Sequence, residues 1–188
     1  KEDFLLDHLK DVASLAKSFA ADFDSGALAF WLGLFHDIGK MNPEFQEYLS
    51  AMEEKREHPK VPHAVWGAAF MYYYWWHKRK TDFWKEFGLP LFGHHAGLGA
   101  QSLASQKFSL FLKEKPQAIQ TMGIALTELQ KYLVESPTVK TAEGTIREMR
   151  IRMLFSALVD ADYLATEKHF EPGKTVNRGE WPSLSDLW

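Results

Sequence analysis

The stretch ALAFWLGLFHDIGK, residues 27–40, is apolar for nine consecutive residues and then becomes polar at a histidine–aspartate pair. A run with no polar face is typical of a helix that is buried on all sides. His36 and Asp37 therefore stand where a core helix ends, and an unsatisfied polar group buried there costs roughly 1–3 kcal/mol. The stretch predicts a central helix whose last turn carries a polar site.

The sequence on both sides of this stretch has helical periodicity. One face of a first helix is predicted at Leu5, His8, Leu9, Val12, Leu15, Ala16 and Phe19. After the pair, Asn42 is a predicted N-cap with Pro43 at the first helical position and Glu44 in the first turn, so residues 45–57 should form a surface helix. Because no segment alternates polar and apolar residues as strands do, the sequence predicts an all-α fold, a helical bundle.

Further helices are predicted downstream. Pro62 should begin a long fourth helix that continues through His77, and a glycine-punctuated segment, GHHAGLGA (93–100), follows it. Two more helices are expected from Pro116 to about Glu135 and from Thr141 to about Glu167.

The composition limits the classes of protein and of site. The 188 residues carry a net charge of -3, so the overall field does not favour nucleic acid. The chain has no cysteine, which excludes thiolate metal sites, and no apolar stretch suits a membrane span. We expect a cytoplasmic protein that contacts no membrane, with one domain over residues 1–170 and a tail or linker over residues 171–188.

Five of the eight histidines lie in core-like or glycine-flanked segments: His8, His36, His63, His94 and His95. Each one alone fits a hydrogen-bonded core histidine. Together they favour a metal site with histidine and carboxylate ligands, because such a site satisfies all of them at once. This ligand chemistry suits manganese, iron, cobalt, nickel or zinc better than magnesium.

Neighbouring residues on a helix point about 100° apart, so His36 and Asp37 can flank one ion, or Asp37 can lie between two. Lys40 follows His36 by four residues and Asp37 by three, which places its ammonium on the same side. Two roles for Lys40 fit this position. It can bind a phosphate beside the metals, or it can interact with the helix dipole.

Five elements occur in a diagnostic order. The string FHDIGKMNPEFQEYL (35–49) is preceded by His8 and followed by PHAVWGA (62–68), GHHAGL (93–98) and LVDADYLATE (158–167). In this combination the chain resembles the HD superfamily of metal-dependent phosphohydrolases. Within that superfamily it resembles the HD nuclease domain of the CRISPR-associated type I interference helicase-nuclease (Cas-three), from about His8 to Glu167.

The resemblance implies two sets of metal ligands. A first ion would be held by His8, His36, Asp37 and an aspartate of LVDADYL. A second ion would be held by Asp37, as a bridging ligand, with His63, His94 and His95. Asp160 and Asp162 lie about 200° apart on a helix, so only one of them faces the ions. Asp162 is preferred, since it continues the apolar stripe of its helix.

The resemblance also implies an activity and partners. The protein would be a metal-dependent nuclease that hydrolyses phosphodiester bonds of single-stranded DNA in type I CRISPR interference, with two divalent ions as cofactors and with Asp37 and Lys40 as catalytic residues. A helicase motor, fused or separate, and an RNA-guided surveillance complex would be its partners.

Two other functions fit parts of the sequence. A nucleotide or cyclic-nucleotide phosphohydrolase of the same superfamily needs only the first ligand set, and a non-catalytic docking module needs no metal ligands.

The segment MYYYWWHKRK (71–80) also has two interpretations. Its aromatic residues can build a core or stack on bases, and its cations can be a solvated surface or a guide for a phosphate backbone.

Overall fold

Helix α2, Gly26–Phe35, is the centre of the fold. It packs against α1 (Glu2–Phe19), α5 (Trp84–Gly93) and α8 (Gly144–Phe170). Most of its side chains are buried, including Leu32 and Phe35, which have no exposed surface. Full burial of such side chains stabilises the fold by about 1.5–3 kcal/mol each, so α2 is a fixed platform for the residues that follow it.

This computed structural model describes residues 2–133, 143–171 and 173–174. Over these residues the structure is helical and has no strand, which confirms the all-α prediction. The remaining helices are α3 (Pro43–Glu53), α4 (Ala64–Tyr72), α6 (Gln101–Glu114) and α7 (Gln117–Gln130). No described helix is long and apolar enough to cross a membrane.

Helices α1 and α2 cross with their backbones almost in contact. A Cβ atom added at Gly33 would lie 2.5 Å from the Cα atom of Ala13, much closer than van der Waals contact. Ala13 itself is fully buried. This close crossing brings His8, on α1, next to the end of α2.

Helices α4 and α5 form an antiparallel hairpin. The rings of Tyr72 and Trp84 lie 5.0 Å apart near its turn, and a Cβ added at Gly88 would lie 3.5 Å from the Ala68 carbonyl oxygen near its middle. Helix α4 begins directly after His63, and α5 ends directly before His94. The open end of the hairpin therefore carries His63 and the His94-His95 pair together.

The fourth helix continues through His77 as predicted, but its second half is not an α-helix. The α-helix ends at Tyr72, and a π-helix continues over Tyr73–Lys78. Five consecutive aromatic residues occupy this region, residues 72–76, and two of them, Tyr72 and Trp75, pack against α5. The wider π turn accommodates them, with the Trp75 ring packed on Phe83 and Phe87 at 4.7 and 5.8 Å.

Other boundaries also differ from the predictions. Helices α5 and α6 were not predicted, because α5 contains Pro90 and is buried nearly all round, while α6 buries only Ala104 and Phe108.

The predicted N-cap of α3 is confirmed, since the Asn42 side chain accepts a hydrogen bond from the Phe45 amide at 3.0 Å. Residues 134–142 and most of the predicted tail, 171–188, lie outside the described residues.

Candidate metal centre

Seven side chains from five regions of the fold converge at the end of α2. His36 and Asp37 follow α2 directly, Asp162 comes from α8, and His8 comes from α1. The hairpin supplies His63, His94 and His95 from its open end. These are the seven residues that the sequence singled out, and the structure brings all of them together.

One group of ligand atoms comprises His8, His36 and Asp37, which lie within 4.8 Å of one another. Asp162 adjoins this group, with its Oδ1 atom 3.2 Å from His8 Nε2 and 3.6 Å from His36 Nε2. Asp160 is exposed, whereas Asp162 is partly buried against the histidines. Only the second of the two aspartates faces the cluster.

A second group comprises Asp37, His63, His94 and His95, again within 4.8 Å of one another. His63 Nε2 lies 3.0 Å from Asp37 Oδ1 and 2.9 Å from His95 Nε2, and His94 Nε2 lies 3.6 Å from Asp37 Oδ1. Asp37 belongs to both groups. Its two oxygens face different histidines, since His36 Nε2 lies 3.4 Å from Oδ2.

Backbone carbonyls fix the orientation of two of the rings. His36 Nδ1 donates to the Gly33 carbonyl oxygen and His94 Nδ1 to that of Leu91, each at 2.7 Å. This hydrogen bond directs the other ring nitrogen, Nε2, into the cluster, as in histidines that bind metals. His36 Nε2, His94 Nε2 and Asp37 Oδ1 are buried and make no hydrogen bond of good geometry, although His63 Nε2 lies 3.0 Å from Asp37 Oδ1. Unsatisfied acceptors of this kind fit a bound cation.

The charges of the cluster shift the pKa values of its members. Burial disfavours ionised Asp37 and Asp162, but the neighbouring histidines outweigh burial and hold the pKa of both carboxyls well below the usual range. Burial likewise opposes a charge on His36, yet Asp37 and Asp162 raise its pKa to about 10. A proton and a metal ion thus compete for the same nitrogen.

His95 shows the opposite shift. Desolvation, followed by the charges of His94 and His63, lowers the pKa of His95 to about 4. Its imidazole is therefore neutral near pH 7, which is the form that binds metals.

Lys40 lies at the edge of the cluster, where the sequence placed it. Its ammonium forms an ion pair with Asp37 Oδ2. The side chain keeps 29% of its surface exposed, while that of Asp37 keeps 2%. Lys40 therefore lies between the buried carboxylate and the solvent, on the side of the site from which an anionic substrate would approach.

Two glycines position the ligands, and sequence reasoning missed both. A Cβ added at Gly39 would lie 1.9 Å from the His63 carbonyl oxygen, so the backbone of the His63 segment rests directly on Gly39. Gly33 allows the α1–α2 crossing and also accepts the His36 hydrogen bond. The only sequence signal was their proximity to the histidine–aspartate pair.

The remaining histidines make contacts of other kinds. His58 Nδ1 bonds to the Pro59 carbonyl oxygen, His77 packs edge-on against Tyr72, and His169 packs against Phe4. None of the three belongs to a group of potential ligands in the described part of the chain.

Comparison with known proteins agrees with this geometry. No curated protein matches the chain. A family profile described as "Cas3, HD domain" matches residues 3–170, nearly the whole sequence. A domain of this kind is a metal-dependent phosphohydrolase that works in a CRISPR context. The chain therefore belongs to the family of Cas3 HD domains.

Proposed function

We propose that this protein hydrolyses phosphodiester bonds of single-stranded DNA during type I CRISPR interference, with two divalent transition-metal ions. The observation that carries the proposal is the pair of ligand groups that share Asp37. A mononuclear phosphohydrolase would need one group only. A second group with three histidines favours a dinuclear site, and it counts against a nucleotide phosphohydrolase that uses the first group alone.

The proposal assigns each ligand to one ion or to both. The first ion would take His8, His36 and Asp162, and the second would take His63, His94 and His95, with Asp37 shared between them. Support comes from the ring orientations, because the hydrogen bonds of His36 and His94 to backbone carbonyls leave their Nε2 atoms available. The mixed histidine and carboxylate set favours manganese, iron, cobalt, nickel or zinc.

Divalent ions, when bound, supply Lewis-acid stabilisation of phosphate oxygens and activation of water. The protein supplies orientation and charge. Its ligands are held rigidly because α2 is buried in the core, and Lys40 is placed to donate to a phosphate oxygen once the ions neutralise Asp37. Asp37 and Lys40 are thus the proposed catalytic residues.

The proposed partners follow from the family. A helicase motor, fused or separate, would deliver the single strand, and an RNA-guided surveillance complex would recruit the nuclease, in the cytoplasm. Residues 1–170 would form the nuclease domain and residues 171–188 a tail or linker.

The proposal is tested with protein stripped of metal and incubated with circular single-stranded DNA and one added metal at a time, including magnesium. We expect cleavage with at least one transition metal, and a loss of at least about 10²-fold in Asp37→Ala, since metal stabilisation is worth several kcal/mol. Metal per chain, measured by elemental analysis, should approach two.

Free nucleotides and cyclic nucleotides serve as competing substrates in the same assay. Rapid turnover of these with inert DNA would assign the chain to the nucleotide phosphohydrolases instead. Full activity of Asp37→Ala on DNA would contradict the proposed site.

A further inference from the structure

The turn of the α4/α5 hairpin carries a surface that the metal chemistry does not use. We call it the aromatic-basic turn, residues Tyr73–Lys80. Trp76 is 45% exposed there, and no described aromatic ring packs against it. Its neighbour Trp75 is instead turned inward onto Phe83 and Phe87. The buried tryptophan anchors the segment, and the adjacent one presents its indole to solvent.

Three exposed cations follow the exposed indole: Lys78, Arg79 and Lys80. With His77 they form the longest run of basic residues in a chain of net charge -3. Over the described residues none of the three forms an ion pair. Arg79 donates to the uncharged Tyr74 hydroxyl at 2.9 and 3.2 Å, and its guanidinium lies 5.3 Å from the centre of that ring.

The carboxylate nearest to these cations in the sequence, that of Asp82, already has cationic partners elsewhere. Asp82 accepts hydrogen bonds from Lys85 at 2.9 Å and from Arg147 at 2.6 Å. It therefore leaves the charges of Lys78 and Lys80 uncompensated. A local excess of positive charge on an acidic protein attracts an anionic partner to this surface, although the net charge of the molecule does not.

The backbone of the turn is irregular. Its π-helix, Tyr73–Lys78, is a rare conformation that is found frequently at functional sites, and Lys80 has a positive φ of 56°. These features reverse the chain direction while the exposed indole and the cations stay on one short segment. An exposed aromatic ring next to a cluster of cations is the combination that single-strand binding surfaces use.

The position of the turn relates it to the metal centre. His63 stands just before α4, and Trp76 lies 13 residues later, which places the turn about 20 Å from the metal ligands along the helix axis. The hairpin thus has the candidate metal ligands at its open end and the aromatic-basic turn at the opposite end. A single strand of several nucleotides spans such a distance.

We infer that the aromatic-basic turn is a second contact for single-stranded nucleic acid, distinct from the metal centre. Lys78, Arg79 and Lys80 bind backbone phosphates, and a base stacks on Trp76. The identity of the strand rests on the proposed function, since the same strand would run from the turn to the metals. A phosphate backbone, with one charge per nucleotide, suits this surface better than a second copy of the chain, because two copies that each carry a net charge of -3 repel one another.

Binding is measured without metal, so that cleavage does not interfere. The probes are fluorescent oligo(dT) of about 4 and about 16 nucleotides, the range of single-strand site sizes. We expect Trp76→Ala to weaken binding of the longer probe at least about 5-fold, and Trp76→Phe to restore most of it. Lys78→Gln/Lys80→Gln should reduce the slope of log Kobs against log salt by about 1.4.

The control is Lys113→Gln/Lys131→Gln, which removes the same number of charges from two exposed lysines on α6 and at the end of α7. Its salt slope should stay close to that of the wild type. The inference is overturned if the wild-type protein does not bind the longer probe, or if the turn variants bind it as the wild type or the control does. Wild-type binding together with loss of a dimer in Trp76→Ala would assign the surface to a second copy.

A cleavage assay separates this inference from the proposed function. Hydrolysis of a small chromogenic phosphodiester with added metal should be unchanged in the turn variants, because such a substrate cannot reach the turn. The catalytic efficiency on the longer oligonucleotide should fall at least about 5-fold. If the protein hydrolyses no phosphodiester, the proposed nuclease function is refuted, but the binding measured without metal still tests the inference. If Trp76→Ala and Lys78→Gln/Lys80→Gln cleave the longer oligonucleotide as efficiently as the wild type, the inference is overturned and the proposed function is not affected.

Discussion

At the scale of single residues, the notable feature is a carboxylate that two groups of histidines share. Asp37 is almost completely buried, and each of its oxygens faces a different set of rings. A buried carboxylate in such a position is costly unless cations surround it. Its environment therefore explains why positive charge, from protons or from metal ions, accumulates at the end of α2.

The two aspartates of α8 provide a matched test of the ligand assignment. Asp162 lies against His8 and His36, and Asp160 is exposed two residues earlier. We expect Asp162→Asn to lower the metal content and to reduce the cleavage rate at least about 10-fold, and Asp160→Asn to leave both unchanged. Elemental analysis of the purified variants measures the difference. Equal metal loss in the two variants would contradict the assignment.

Asp82 provides a test of acid stability. Its hydrogen bonds to Arg147, opposed by partial burial and aided by Lys85, lower the pKa of its carboxyl below the ordinary value of 3.8. A lowered pKa in the folded state stabilises the protein above the unfolded pKa, and this stabilisation is lost as the pH falls through the folded pKa. We expect Asp82→Asn to be less stable than the wild type at pH values above the ordinary pKa of 3.8, with the gap closing as the pH falls below that value.

Urea unfolding at several pH values measures that gap in the free energy of unfolding. A gap of constant size over the whole range would show that Asp82 contributes through packing and not through its charge.

At the scale of elements, close backbone contacts position the ligands. The short 3-10 segment after Asp37, Ile38–Met41, supports the His63 backbone at Gly39, just as α1 rests on Gly33. At each glycine the two backbones are in direct contact, with no side chain between them. These contacts hold the ligand-bearing segments in fixed positions relative to one another. The site is therefore sensitive to added volume at Gly33 and Gly39, two positions that carry no side chain.

Gly39→Ala tests this sensitivity. The added methyl group would overlap the His63 carbonyl, so the loop that carries His63 must move. We expect a loss of about 1–3 kcal/mol in the free energy of unfolding and weaker metal binding to the group of His63, His94 and His95. Thermal unfolding and metal titration measure the two effects.

The matched control is Gly123→Ala on α7, where an added Cβ meets no atom within 4 Å. Alanine should stabilise that helix by about 0.5–1 kcal/mol and leave metal binding as it is. If Gly39→Ala behaves like this control, then His63 is not positioned by the contact with Gly39.

At the scale of the whole molecule, a buried ion pair connects the hairpin to the long C-terminal helix. Arg147 on α8 donates to Glu86 on α5 at 2.6 Å, and the side chain of Glu86 is only 2% exposed. Farther along the same two helices lie Asp162 and the His94-His95 pair. The ion pair thus fixes the relative position of helices that carry different ligands.

Arg147→Met tests the ion pair. It leaves the Glu86 carboxylate buried without its partner, so we expect a loss of about 3–5 kcal/mol in the free energy of unfolding. Arg152→Met, on the same helix, breaks an exposed pair with Glu148 and should cost at most about 1 kcal/mol. Chemical denaturation of both variants compares them. Similar losses would mean that Glu86 is stabilised by other groups.

Much of the fold was predictable because the signals were local, whereas the full set of candidate ligands came from the family resemblance. The apolar run of α2 and the Asn42 cap of α3 depend on neighbouring residues, and the histidine–aspartate pair stood out against an apolar background. Helix α5 was missed because it is buried nearly all round and contains Pro90. Gly39 and Glu86 were missed because their roles depend on residues that are distant in sequence, and no local pattern records such contacts.

The convergence of side chains from residue 8 to residue 162 on one point also has a consequence for folding kinetics. No single supersecondary unit contains both groups of candidate ligands, so the complete centre forms only when the first helix, the hairpin and the last helix have all docked. Contacts of such high contact order form late, after most of the loop-closure entropy has been lost. Binding at the first group of ligands during refolding is therefore a reporter of the final native state, and a proteolytic fragment that lacks either end of the chain should lose tight binding at that group.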